Sequence, residues 1–280
     1  CPLDRRGDRE GDGRPCLTPV TPTSPTGPAR PTGCSPGVRC SSPPRPAPAS
    51  ASPRRAAPRR KARSVAVSDR HERRLAASAD EIERLTGTRP LAVPCDVTDQ
   101  AQLDHLMDTV AAEFGGIDVL VNNAGLGGTA AVQDMTDEQW DSVLSVTLTS
   151  TFKATRSVLR HMIPAGRGVI VNNASVIGWR AQKGQAHYAA AKAGVMALTR
   201  CAALDVAEHG IRVNAVSPSI AMHAHLAKVT SDELLAQLSA QEAFGRAATP
   251  WEIANVIVFL ASDYSSYMTG EVVSVSSQHP

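Results

Sequence analysis

Ile117-Asp-Val-Leu-Val121 followed by Asn122-Asn123-Ala124-Gly125 is the stretch from which the fold is read. The run is too short and too rich in β-branched residues for a helix, and it reads as a strand. The small and amide residues that follow let a backbone approach a ligand closely, or else form a plain turn. An almost wholly apolar strand predicts a sheet covered on both faces, so helices must lie on either side of it in sequence. Downstream, Thr136 with Gln139 at the capping-box position starts a long helix to about Ile163. Val169–Val171 is a strand, His187 to about His209 a helix stopped by Gly210, and Ile211–Val216 another strand. A helix from Pro250 to about Ala261 leads to a last strand, Glu271–Val275. Upstream, Thr98 to Phe114 reads as a capped amphipathic helix, Leu91–Val93 as a strand, Arg70 to about Leu85 as a helix and Val65–Val67 as a strand. Strands alternating with helices predict an α/β protein with a Rossmann-like, doubly wound parallel sheet.

Composition bounds the rest. The 280 residues suit one large α/β domain or two small ones. No run of 18 apolar residues occurs, which excludes a membrane-spanning helix and points to a cytoplasmic protein without a membrane partner. The six cysteines form no C-x-x-C pair and no cluster with histidine, so no metal site is expected. A net charge of +2 conceals two unlike parts, for residues 1–63 carry +9 and residues 64–280 carry −7. The division predicted is 1–63, a disordered Pro/Arg-rich segment, and 64–280, the folded domain. Fourteen of the 20 prolines lie in the first part, where they forbid helices and interior strands. Its Arg54–Arg63 end is either a solvated basic tail or a non-specific nucleic-acid contact, and no specific nucleic-acid partner is expected. It has neither the apolar core of a signal peptide nor the period of a transit peptide. Cys1 in place of Met, and an abrupt change in composition near Ser64, suggest a frameshifted translation.

Three further features carry chemistry. Asp69 ends the first strand, where a carboxylate accepts hydrogen bonds from ribose hydroxyls and repels a 2′-phosphate, or serves as an ordinary turn residue. Arg70 beside it could instead pair with such a phosphate. Tyr188-Ala-Ala-Ala-Lys192 puts a phenol and an ammonium on one helix face. Ser175, thirteen residues earlier, falls at the carboxyl edge of the sheet, where ligands bind in this architecture.

Together with Cys95-Asp-Val-Thr98, Arg212-Val-Asn214-Ala-Val-Ser-Pro218 and Phe259-Leu-Ala-Ser-Asp263…Thr269-Gly270, these motifs resemble the short-chain dehydrogenase/reductase family, most closely its 3-oxoacyl-carrier-protein reductase-like branch. The resemblance runs from about Val65 to the C-terminus. It implies hydride transfer between a nicotinamide cofactor and a secondary alcohol or ketone, with a 3-oxoacyl thioester as one substrate class. Tyr188 would be the general acid/base, Ser175 would hold the substrate oxygen, and Lys192 would hold the ribose and help lower the tyrosine's pKa. Asp69, Asp96, Val97, Asn122, Asn123, Ala124, Gly125 and Pro218 would line the cofactor cleft, with Tyr188 and Lys192 reaching into it. NAD is implied, NADP is the alternative, and the partner is another copy of the chain in a dimer or tetramer. Asn172-Asn-Ala-Ser-Val-Ile-Gly-Trp179-Arg180-Ala-Gln182 and the residues from Asp263 to Pro280 also look like actinobacterial reductases of coenzyme A thioesters derived from steroid rings. Trp179, Arg180 and Gln182 would either touch substrate or be ordinary surface residues.

Four departures stand out. Thr147 replaces the usual relay asparagine, Pro218-Ser219 replaces Pro-Gly, and Ser276-Ser-Gln-His-Pro280 replaces a Gly-Gly turn. The Thr-Gly-x-x-x-Gly-x-Gly turn after a first strand is absent, and Gly7…Gly11-Asp-Gly13 matches the glycine spacing only by chance. The strand missing with it would be the middle one, between 65–67 and 117–121. The expectation is that the chain as printed neither grips a dinucleotide nor turns over. The alternative function is thus that of an inactive product of a damaged reading frame.

Overall fold

The computed structural model describes residues 64–222 and 231–277; the segment 1–63, its basic end and its expected disorder lie outside them, as do residues 278–280. Six parallel strands alternate with helices. They are β1 (Ala66–Asp69), α1 (Glu72–Thr86), β2 (Leu91–Pro94), α2 (Gln100–Phe114), β3 (Val119–Asn122), α3 (Asp137–Leu144), α4 (Ser150–Ala165), β4 (Gly168–Asn173), α5 (Ala186–Val206), β5 (Ile211–Pro218), α6 (Asp232–Ala240), α7 (Pro250–Ala261) and β6 (Val272–Val275).

The core sits on β4 and β5, whose successive residues turn to opposite faces. Ile170 and Val213 join α4 and α5 through Val158, Met162 and Ala203, while Val171 and Val216 join Ile253 and Leu260 of α7. Each of these four strand side chains is fully buried, worth about 1.5–3 kcal/mol apiece relative to exposure. Helices on both faces of a parallel sheet make the fold doubly wound, as expected.

The described strands fall into two sheets, β1-β2 and β3-β4-β5-β6. Ala66, Leu91 and Val93 from the first pack into the same apolar cluster as Ile170 and Val213 from the second. Among the described residues, the edges of β1 and β3 that face away from β2 and β4 have no strand partner. Val119 and Val121 of β3 are each 40% exposed, against 0% for Val171 on the neighbouring strand. Among the described residues, one face of β3 therefore lacks the helical cover that β4 has.

Three local expectations change. The cap of α2 is Asp99, which accepts from the N–H groups of Ala101 and Gln102, whereas the Thr98 hydroxyl turns to Asp96. The long helix from Thr136 has its capping box, but a π-helical turn at Ser145–Thr149 divides it into α3 and α4. Helix α6 was not expected; Ser231 caps it by accepting from Leu234 N–H, and Leu235 is its buried residue.

Candidate active site

The carboxyl edge of the larger sheet brings Ser175, Tyr188, Lys192 and Thr147 together. Ser175 follows β4 and opens a short 3-10 turn, accepting from Ile177 N–H. Tyr188 and Lys192 stand one turn apart near the start of α5. Two glycines allow this convergence. A Cβ on Gly178 would lie 3.0 Å from the backbone of Lys192 and Ala193, so only glycine lets the Ser175 turn rest on α5 there. A Cβ on Gly194 would lie 2.6 Å from Leu148, and its absence lets α5 close on the π-helical turn that carries Thr147.

The Tyr188 phenol lies near enough to the Ser175 hydroxyl to be influenced by it. Burial of the phenol raises its pKa above the ordinary tyrosine value, and the Ser175 hydroxyl offsets part of the rise. The lowering expected for Tyr188 is therefore not present in the protein alone. Burial works in the other direction on a cation, and Lys192, 3% exposed, is brought down to about 8. Its Nζ donates to the Asn173 carbonyl at 2.5 Å and lies 5.6 Å from the centre of the Tyr188 ring.

Thr147 is buried and clamps Leu126: its Oγ1 accepts from Leu126 N–H and donates to Leu126 C=O, both at 3.0 Å. Its own carbonyl accepts from the Thr151 hydroxyl at 2.9 Å. The clamp fixes the loop after β3, where a Cβ on Gly125 would sit 3.7 Å from Lys192 Nζ and 3.9 Å from Thr147 Oγ1. The same loop passes over the start of α5, with Gln185 donating to Gly128 C=O at 2.7 Å.

The expected cofactor residues lie at or just beyond the carboxyl ends of strands in both sheets. Asn123 and Ala124 are exposed beyond β3, and Pro218 ends β5. Asp96 is held in a turn by Thr98, whose N–H and hydroxyl donate to its Oδ1 and keep its carboxyl below the usual range; Val97 packs partly buried beside it. Asp69 ends β1 and is gripped by Arg74 rather than by Arg70. Among the described residues no cluster of three or more His, Cys, Asp or Glu could hold a metal ion.

Asn122 and Asn123 were read from the sequence, but the amide hydrogen bonds that tie them to Asn172 and Asn173, and the buried His187, were not. Asn122 and Asn172 lie opposite each other in β3 and β4, and Asn122 donates to Asn172, which donates to Thr199 on α5. Asn173 donates to Asn123, lends its carbonyl to Lys192, and keeps a buried Oδ1 without a hydrogen-bond partner. His187 is buried and accepts from Tyr188 N–H. The signal was present: two neighbouring strands both end in Asn-Asn.

A buried ammonium carries a cost that can be measured. Because Lys192 binds its proton less tightly in the folded chain than in the unfolded one, stability rises with pH between about 8 and 10.5. Lys192→Met should stabilise the protein at pH 7 by about 1–3 kcal/mol, and the gain should shrink across that window. Urea unfolding of both proteins from pH 7 to pH 10.5 checks this; equal stability at pH 7 would contradict it.

Comparison with known proteins yields a consistent set. The profile of a family described as Enoyl-(Acyl carrier protein) reductase matches residues 56–277. A Mycobacterium tuberculosis hydroxy-methyl-oxo-hexahydroindene-carboxyl-CoA reductase is 64% identical over 217 residues, 77% of this chain and 83% of its own length. The 3-oxoacyl-[acyl-carrier-protein] reductase of Escherichia coli is 37% identical over 198 residues, 71% of this chain and 81% of its own. Among solved structures, a short chain dehydrogenase from Mycobacterium smegmatis is 57% identical with a TM-score of 0.68, covering 78% of this chain and 82% of its own. An NAD+-bound xylitol dehydrogenase is 32% identical with a TM-score of 0.72, covering 77% and 88%.

Proposed function

The chain belongs to the short-chain dehydrogenase/reductase family of oxidoreductases, and from that premise we propose that it reduces a ring ketone on a bicyclic coenzyme A thioester, with Tyr188 as proton donor. One observation carries the reading: Ser175, at the sheet's carboxyl edge, lies near the Tyr188 phenol, with Lys192 one helical turn away and its ammonium 5.6 Å from the Tyr188 ring. The substrate class rests on the M. tuberculosis reductase at 64% identity.

The residues present fit the nicotinamide end of a dinucleotide. The buried Asn173 Oδ1 lacks a donor, and the Lys192 ammonium, bound to the Asn173 backbone carbonyl, has further N–H donors left. Gly125 leaves the space next to Lys192 free of side chain. When bound, the cofactor supplies the hydride. Ser175 would hold the ketone oxygen and Tyr188 Oη would pass its proton to that oxygen as charge develops. Burial keeps Tyr188 protonated at neutral pH, the state a reduction needs. Lys192 would hold a ribose hydroxyl and, as a cation, favour the phenolate left behind.

NAD is the preferred cofactor in this reading, because Asp69 ends β1 where a carboxylate opposes a 2′-phosphate. No described helix is long and apolar enough to cross a membrane, and we place the protein in the cytoplasm. Trp251, Val258 and Phe259 of α7, with Tyr264 and Tyr267 after it, leave an apolar surface that supports a homo-oligomer. We assign residues 64–280 to the dehydrogenase/reductase domain and residues 1–63 to a Pro/Arg-rich segment.

The test is a substrate panel: a bicyclic keto-acid as its coenzyme A thioester, the free acid, and a linear 3-oxoacyl thioester. The bicyclic thioester should be reduced with the highest kcat/KM, and a preference for the linear thioester would contradict the substrate assignment. A second reading, an inactive product of a damaged reading frame, is favoured by the open edges of β1 and β3.

A further inference from the structure

Asp69 is less available to a ribose than its position suggests. Its Oδ1 accepts from His71 N–H at 2.8 Å and from Arg74 Nη2 at 2.8 Å, and its Oδ2 accepts from Arg74 Nε at 3.0 Å. A carboxylate offers about four lone-pair sites, so this arrangement leaves one, on Oδ2, for a ribose diol that has two hydroxyls to place. The grip is local in origin. Glu72 opens α1 directly after β1, and Arg74 lies in that helix's first turn, within reach of the strand end. Arg70, the neighbour in sequence, turns instead to His71, with 3.3 Å between Nε and the imidazole Nε2. The Arg74 side chain is 61% exposed and that of Asp69 29%, so the pair faces solvent on the side open to a ligand.

We propose that Arg74 is a specificity-determining residue for the nicotinamide cofactor: by chelating Asp69 it withholds the carboxylate from the ribose and neutralises the charge that would turn away a 2′-phosphate. The guanidinium has five donors and spends two on Asp69. Three are left, in the planar fork that suits phosphate oxygens. Asp69 supplies the preference for NAD and Arg74 narrows it. The inference rests on the reading of β1 and β2 as the adenosine end of a dinucleotide site. The residues it uses, Asp69, Arg70, His71 and Arg74, lie on the described β1, the β1–α1 connection and α1, apart from any pyrophosphate-binding turn.

The experiment uses the full chain and two fragments that need no pyrophosphate grip, adenosine 5′-monophosphate and adenosine 2′,5′-bisphosphate. Affinities are measured by ligand-observed NMR titration at millimolar concentrations. The monophosphate should bind the parent only slightly more tightly than the bisphosphate, and Arg74→Ala should widen that ratio about tenfold. Arg84→Ala, which removes the same charge from the far end of α1 where it pairs with Glu81, should leave the ratio unchanged. A ratio that moves no more in Arg74→Ala than in Arg84→Ala overturns the role of Arg74 while leaving the adenosine site standing. Failure of both fragments to bind the parent overturns the adenosine site itself, and the proposal with it.

Discussion

Tyr188→Phe is expected to lower turnover of an active form by about 10²–10⁴-fold while leaving cofactor affinity nearly unchanged. The substitution removes one oxygen. The ring stays on α5, where Gly127 and Lys192 pack against it, so the helix and the Lys192–Asn173 bond persist. What is lost is the proposed proton donor. Steady-state kinetics with parallel cofactor titration separates the two effects. Activity within a few-fold of the parent would remove Tyr188 from the reaction.

The second large effect concerns the sheet. A version of the chain in which residues 1–63 give way to a start with a strand and a Thr-Gly-x-x-x-Gly-x-Gly turn is expected to bind NADH and reduce ketone, and the chain as printed to do neither measurably. The side chains proposed to be catalytic, Ser175, Tyr188 and Lys192, already converge in this chain, so the expected difference lies in scaffold and cofactor grip. β1 and β3 each lack a partner on one edge among the described residues, and buried backbone groups need one. Val119 and Val121 remain 40% exposed on the uncovered face of β3. A strand inserted there would pair both edges, and the helix after it would present N–H donors to the pyrophosphate. Equal binding and turnover by the two versions would show that the printed chain completes its own sheet.

The order of strands and helices from β1 to β6 was legible because β4 and β5 are buried on both faces and carry the apolar residues Val169–Val171 and Ile211, Val213, Ala215 and Val216 between clear helix signals. The helices announced themselves through end signals: the Thr136–Gln139 capping box, Pro250 in the first turn of α7, and Gly210 after α5. The π-helical turn was not legible. It depends on Thr147 and Leu148 meeting Leu126 and Gly194, contacts that come together only in the tertiary fold. Ser175, Tyr188 and Lys192 could be placed by spacing along one strand end and one helix. The Arg74–Asp69 pair could not, since Arg70 and Arg74 are both within reach of Asp69 in sequence and only the direction of α1 decides between them. The burial that raises Tyr188 and lowers Lys192 is likewise a property of packing and not of residue type.

The central claim is that this site moves a hydride to a carbonyl carbon while Tyr188 protonates the oxygen. Its most direct measurement is single-turnover reduction of the bicyclic keto-thioester by NADH stereospecifically deuterated at the transferred position of C4, using the version with the strand and turn. The account predicts one deuterium at the new carbinol carbon with Tyr188 present, and no product on the same timescale with Tyr188→Phe. Product without deuterium, or deuterated product formed as fast by Tyr188→Phe as by the parent, would contradict it.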